Sequence, residues 1–273
     1  TAGSPIVFQG STNFAAGGTT FAGSGYLLNI QGSRLVFRDI RAVGGSSGFM
    51  LTGAAYNEFE RIHSLPNSSH ALRSSGAANS NVFRRSVFHS TANAAHAMYS
   101  PARGNFIEQS IVWSGSSLAI GGADGAVSNI VDSILLGNPV MNITALSSQM
   151  GGDRNIFALP HNAHGTVETL AELQRINSNW YGNTVADPGF VDLNAFDFHL
   201  LSASGYLSNG VWVTNASVGY SPAIDFGDRL VSVGDEPEPN GGRVNVGLYG
   251  GSTEASKSRT TPWLFAMSFN DGG

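Results

Sequence analysis

Asn57-Glu58-Phe59, Asn81-Val82-Phe83, Asn105-Phe106-Ile107 and Asn129-Ile130-Val131 carry one pattern, an asparagine followed by strand-forming residues. The asparagines return at one constant interval, Asp153 stands next in line, and Ser33-Arg34-Leu35-Val36-Phe37 is an earlier, degenerate copy. Repeats of this length mark stacked supersecondary units that bury a core only against their neighbours. The unit is rich in β-branched and aromatic residues, is broken by Gly, Ser, Asn and Pro, and has no long 3.6-period apolar stripe. It lacks the leucine lattice of a leucine-rich repeat and the paired helices of ankyrin or tetratricopeptide units. The expected fold is all-β: a right-handed parallel β-helix, a solenoid of ~24-residue rungs with like positions stacked about 4.8 Å apart. The asparagines then form a turn ladder, because Asn tolerates the left-handed conformation and its amide bonds from rung to rung.

The same period aligns charge. Arg38, Glu60, Arg84, Glu108 and Asp132 follow one another at that interval, the first step alone being slightly shorter, so the spacing predicts one outer column of nearly alternating sign. Such cross-strand pairs contribute roughly 0.2–1 kcal/mol, exposed ones least. This reading makes the acids structural.

Composition narrows the class. With 273 residues the chain forms one large domain or two small ones, and 41% hydrophobic content suffices for a continuous core. Only 12% of residues are charged while 35 are glycine, which suits a turn-dense solenoid. The absence of cysteine excludes disulfides and thiolate metal sites. A net charge of −5 with scattered basic residues argues against nucleic acid as partner. No apolar run is long enough for a membrane span, and no signal peptide precedes Thr1, so either a signal was removed or the chain is a piece of a longer protein.

Three stretches are expected: rungs over 1–165, a helical excursion and return strand over 166–200, and a C-terminal β-helix end with long loops over 201–273. The convincing helix lies at 166–177, with Thr166 as N-cap, Thr169 in place of a capping-box Glu, and Leu170, Leu173 and Ile176 as its apolar face. From Asp187 the chain is expected to return to strands with longer excursions, including Phe196-Asp197-Phe198-His199-Leu200-Leu201 and the loop around Trp212.

The runs Ala186-Asp187-Pro188-Gly189-Phe190-Val191-Asp192, Asp197-Phe198-His199-Leu200 and Ser221-Pro222-Ala223-Ile224-Asp225-Phe226-Gly227-Asp228 carry a resemblance. With Glu236 through Gly250, they resemble the closing part of secreted bacterial parallel β-helix proteins of the pectate-lyase-like superfamily. The resemblance implies secretion, an extracellular or cell-surface location, and further modules after Thr261-Pro262-Trp263-Leu264. It also implies, for enzymatic members, a lysine or arginine base with calcium-binding aspartates, or close aspartates of a hydrolase. This sequence departs from both. Its one lysine is Lys257, beyond the rungs, and Glu60 and Glu108 lie two rungs apart with Arg84 between them, poor geometry for glycoside hydrolysis.

A second set of residues is the better candidate site. His63 and His89 lie slightly more than one period apart and Trp113 follows at one full period; His70 and His96 share the longer interval, with Asn67 and Asn93, and Ser64 and Ser90, in register. Stacked polar and aromatic side chains on one sheet face would bind sugar rings. With Tyr99, Arg73 and Arg103 nearby, a histidine such as His70 or His96 could act as base in a β-elimination, Tyr99 as acid and Arg73 as the group that neutralises a uronate. The alternative is that homologous turn positions repeat their residue type. The acids Asp225, Asp228 and Asp235, with Glu236 and Glu238, offer oxygen ligands at loop spacing that would suit calcium, or ordinary turns and ion pairs with Arg229 and Arg243. Gly44-Gly45-Ser46-Ser47-Gly48 matches a nucleophile-elbow pattern, but its glycines read as a solenoid turn. Two functions follow: a noncatalytic extracellular module that spaces, adheres, assembles or binds glycan, and, as the alternative, a polysaccharide lyase. The partners expected are an extracellular polysaccharide or further copies of the chain.

Overall fold

The computed structural model describes residues 5–11, 18–91, 97–99, 104–115, 120–121, 128–137, 151–158, 170–176 and 178–260. It is an all-β chain built on a parallel solenoid of about five turns. The strands come rung by rung. The opening strand β1 (Ile6–Gln9) is followed by β2 (Thr19–Ala22) and β3 (Tyr26–Ile30), then β4 (Leu35–Val43) and β5 (Ser47–Thr52), then β6 (Glu58–Asn67) and β7 (His70–Ser75). Next come β8 (Val82–Arg84), β9 (Val87–Ser90) and β10 (Met98–Tyr99), and one rung on β11 (Asn105–Glu108), β12 (Ile111–Ser114) and β13 (Ile120–Gly121). The last rungs hold β14 (Ser128–Val131), β15 (Ile134–Leu136), β16 (Gly151–Asp153) and β17 (Ile156–Ala158), then, after helix α1 (Leu170–Ile176), β18 (Trp180–Tyr181) and β19 (Thr184–Ala186).

These strands line three faces. The first stacks β1, the front half of β4, the front half of β6, then β8, β11, β14, β16 and β18; the second stacks β2, the back halves of β4 and β6, then β9, β12, β15, β17 and β19. The third holds β3, β5, β7, β10 and β13. The bend between the first two faces falls at one residue per rung, and each is left-handed: Asp39, Arg61, Arg85, Gln109, Asp132 and Arg154 have φ of 56, 52, 48, 46, 49 and 53°. Gly182 continues this corner at 65°, the one member for which the conformation carries no steric cost.

Inside, one column of rings fixes the register of the first face. Phe8, Phe37, Phe59 and Phe83 stack face to face at 4.8, 5.1 and 4.8 Å between centroids, and Ile107 and Ile130 continue the column. Gly152 then stands over Trp180, where a Cβ would come within 2.7 Å of the indole. The second face points Phe88, Val112, Leu135 and Phe157 into the same core.

The asparagine ladder exists for three members. Asn57, Asn81 and Asn105 are buried, and each side-chain oxygen accepts the backbone N–H of the rung before: Leu35 to Asn57 at 2.8 Å, Asn57 to Asn81 and Asn81 to Asn105 at 3.0 Å. Asn129 departs from the expectation. Asn105 pairs with Ser128, so this rung is shorter than the one before it, and Asn129 sits beside Phe106, exposed. Asp153 likewise pairs with Val131, outside the asparagine line. The register is set by keeping Ile130 under Ile107 in the core, and a slip of one residue would turn every inward side chain out. Burial outranks the identity of the letter.

A second ladder runs along the other side of the bend. Ser86, Ser110, Ser133, Asn155 and Asn183 each present a side-chain oxygen to the backbone N–H of the preceding rung, from Ile62 to Ser86 at 3.1 Å through Asn155 to Asn183 at 2.8 Å. Buried N–H groups at a corner need such partners, since a bent strand cannot pair them all.

Beyond β19 the chain leaves the rung register. Strands β20 (Phe190–Asp192) and β21 (Asp197–Leu200) pair antiparallel, as do β22 (Tyr206–Ser208) and β23 (Val211–Val213). Within 201–260, expected as the end of the β-helix, no described residue adds a strand to its sheets. This stretch is instead a strap across the outer side of the second face. Val87, Ile111, Ile134, Ile156 and Leu65 there pack against Phe198, Leu200, Ala223, Val246 and Leu248, a second core outside the solenoid. Helix α1 occupies Leu170–Ile176 of the expected 166–177 and sets Leu170 against the inner core; Thr166 and Thr169 lie outside the described residues.

Candidate functional site

On the third face, strands β5 and β7 point Phe49, Leu51 and Leu72 inward, which leaves Met50 and Arg73 outward beside Asn29 and Tyr99 in adjacent strands. His70 lies in the row of Ser47 and Tyr26. The Arg73 guanidinium reaches over the intervening strand to the Tyr26 hydroxyl at 3.4 Å, and the His70 ring sits 5.8 Å from that of Tyr99. Ser69 Oγ meets His70 Nδ1 at 2.8 Å. Tyr26, His70, Arg73 and Tyr99 therefore lie together as one polar and aromatic cluster at the third face. Among the described residues no carboxylate lies within ion-pair distance of Arg73, unlike Arg38, Arg61, Arg84 and Arg154. His96, Asn93 and Arg103 lie outside the described residues.

The other histidine set is divided. His63 pairs with Arg41 and Val87, in the register already set by the front half of β6, and only beyond Ser64 does a bulge shift that register so that Asn67 pairs with Ser90. The pairing of His63 with Val87 rules out the expected stack of His63 on His89. His89 and Trp113 do stack, 3.9 Å apart at 14°, but beneath the strap, with Phe196 at 5.4 and 5.8 Å from the two rings. His89 is only 4% exposed and its Nδ1 has no hydrogen-bond partner among the described residues. Burial alone draws its pKa down to about 4. Burial and the neighbouring Arg41 bring His63 to about 4 as well, against the pull of Asp39 and Glu254. Neither imidazole in this pair is presented to a large ligand. Asn67, the head of a glycosylation sequon, is fully buried, donating to Ser64 Oγ at 3.0 Å and the His89 carbonyl at 3.2 Å.

The charge column holds for Arg38, Glu60, Arg84 and Glu108, with Arg38–Glu60 at 3.0 Å and Arg84–Glu108 at 2.8 Å. Asp132 is not its fifth member, since the shortened rung puts Val131 next to Glu108. It stands instead at the left-handed corner, buried, with Arg154 Nε at 2.9 Å. Burial raises its pKa, and Arg154 opposes the rise. A parallel corner pair joins buried Asp39 to Arg61 at 2.6 Å. Every acid of both columns is thus engaged.

The expected calcium acids are not brought together. Asp228 faces Arg154 at 3.3 Å, Asp225 accepts from Ser258 Oγ at 2.6 Å, and among the described residues no three His, Asp or Glu side chains are placed to hold a metal ion. Ser46 precedes strand β5 rather than a helix, so the glycine-flanked serines form a turn.

Two strap groups have surroundings that sequence spacing does not assign to them. Glu236 is buried, its Oε1 accepting N–H bonds from Asn245 and Gly251 at 2.8 Å each, and burial pushes its pKa up to about 7 against those two bonds. His199 stacks on Tyr249 at 3.8 Å and 2°, with Nδ1 at 2.6 Å from Asp197 and Nε2 at 3.5 Å from Glu254. Burial lowers the His199 pKa, but bonding to Asp197 and the Glu254 carboxylate outweigh it and hold it above the ordinary value. The fold thus defines a class, the parallel β-helix. No family model, curated protein or solved structure matches this chain.

Proposed function

We propose that this chain is a noncatalytic β-helix module of a secreted or cell-surface protein, and that the third face binds an extracellular acidic polysaccharide. The cluster of Tyr26, His70, Arg73 and Tyr99 carries the reading. Tyrosine rings offer flat apolar area with a polar tip, the surface on which pyranose C–H faces lie. A guanidinium between them pairs a carboxylate in bidentate fashion. The cluster runs across successive strands at strand spacing, from Tyr26 of β3 to Tyr99 of β10, which suits an extended chain more than a compact ligand. A noncatalytic role fits the acids of the two columns, which are committed to arginines, and the His89–Trp113 pair, which lies under the strap.

Lyase chemistry is the second reading, favoured by the meeting of His70, Tyr99 and Arg73 on one surface. Affinity electrophoresis against acidic and neutral polysaccharides tests both. The expected result is retardation by acidic polymers only, abolished in Arg73→Ala and weakened in Tyr99→Ala, with no rise in the absorbance of unsaturated uronates. Retardation by no polymer would remove the glycan role. Product absorbance that disappears in His70→Ala would establish the lyase instead.

A further inference from the structure

The strap meets the solenoid at a largely apolar seam that carries His63, His89 and His199. At one margin His89 of β9 lies between Trp113 of β12 and Phe196 of the β20–β21 turn, and Leu65 of the β6 bulge belongs to the same apolar seam. Phe196 itself holds a left-handed φ of 58°, so the turn is fixed in the shape that delivers its ring there. At the other margin His199 is held by Asp197 and Glu254 and covered by Tyr249. Across the seam, His63 of β6 is within electrostatic reach of Glu254 of the strap and of Arg41 and Asp39 on β4.

We propose that the strap is an acid-released latch: protonation of His89 and His63 at this seam lifts it and uncovers the apolar outer side of the second face while the rungs stay folded. The geometry supplies the reason. A charge on the His89 ring would be buried between two apolar rings, with no carboxylate of β6, β12 or the strap to meet it among the described residues. A histidinium at position 63 would stand beside Arg41. Folded-state pKa values of about 4, below the ordinary 6.5, give the sign. Stability from these two groups is present above pH 6.5 and is lost as the pH falls through about 4.

His199 works the other way. Its raised pKa means that its proton favours the closed strap below the ordinary histidine value, so long as Asp197 and Glu254 stay ionised. The Glu254 pKa is lowered, chiefly by the bond to His199, so this support is lost only when acid discharges it. Glu236, protonated below about 7, places no new charge in the strap on acidification. Release therefore has a threshold rather than a gradual course. It does not depend on whether the third face binds glycan.

Hydrogen exchange read by mass spectrometry, on the intact chain over a series of pH values from neutral to acid, tests the latch. Peptides over 196–200 and 245–251 are expected to lose protection at a higher pH than peptides over 82–90 and 105–114. Binding of an apolar dye should rise with the first step. His89→Phe keeps the ring stack but takes up no proton, and should move the step down by about one pH unit. His199→Gln removes the proton that favours closure, and should move it up. Should His89→Phe fail to fold, His89→Gln serves the same arm. Loss of protection in strap and rungs together, at one pH shared by wild type and both variants, would overturn the proposal.

Discussion

The solenoid and the strap bury comparable kinds of side chain by opposite means. In the solenoid each contact is made again one rung later: Phe on Phe, Asn on Asn, Arg beside Glu. In the strap nearly every contact is used once, as with Glu236 holding Asn245 and Gly251, or Arg154 reaching Asp228. Repetition spreads stability along the stack, so that a rung is supported from both sides. A single-use contact has no second copy. The strap is therefore the region where one substitution or one proton has a local effect, and the rungs the region where it has a cooperative one.

The largest expected break is in the ring column. Phe59→Ala removes a buried ring stacked on both sides, and should cost about 3–5 kcal/mol in chemical denaturation and loosen every rung together. Phe198→Ala, a deletion of the same size at a site packed against Trp113 and Phe190, sharpens the contrast. It should expose strap amides to exchange while the rungs keep their protection. Equal loss in both regions would refute the comparison. In the asparagine ladder, Asn81→Ala orphans the Asn57 N–H and the Ala54 carbonyl, at about 1–3 kcal/mol for each buried group left unpaired. Asn129→Ala, outside the ladder, should be nearly silent in the same melt.

The strap also has a pH signature of its own. The pKa of Glu236 is raised to about 7, so its share of stability is complete below the ordinary glutamate value and is lost as pH rises through about 7. Glu236→Gln should flatten the fall in thermal midpoint between weakly acid and weakly alkaline solution. The smallest effect belongs to the outer charge column. Arg84→Ala breaks an exposed pair and should change stability by less than about 1 kcal/mol, and less still in high salt.

Much of this was legible before the structure. The period gave the parallel stack, and Asn57, Asn81 and Asn105 stood where a corner needs a side chain that can serve two rungs. The misplacements of Asn129 and Asp132 share one cause: letters were matched at a constant interval, while the rungs measured by pairing vary, as from Val36 to Glu58, Glu58 to Val82 and Asn105 to Ser128. The strap was foreshadowed by runs such as Ile111-Val112-Trp113 and Ile134-Leu135-Leu136. Unbroken apolar runs belong to strands buried on both faces, so something had to cover the second face. His63 and His89 looked like one ladder because like letters were matched across a step longer than the rung, while pairing sets His63 on Val87.

Sequence alone determined the repeat, the strand content and the polar residues that line the turns, because these follow from local preference and period. Tertiary structure decided which histidine lies at the third face and which lies under a strap. Those outcomes depend on where residues 187–260 come to rest. That position is fixed by burying Val87, Ile111, Ile134 and Ile156 against Phe198, Val246 and Leu248, a match between distant surfaces that no single stretch encodes.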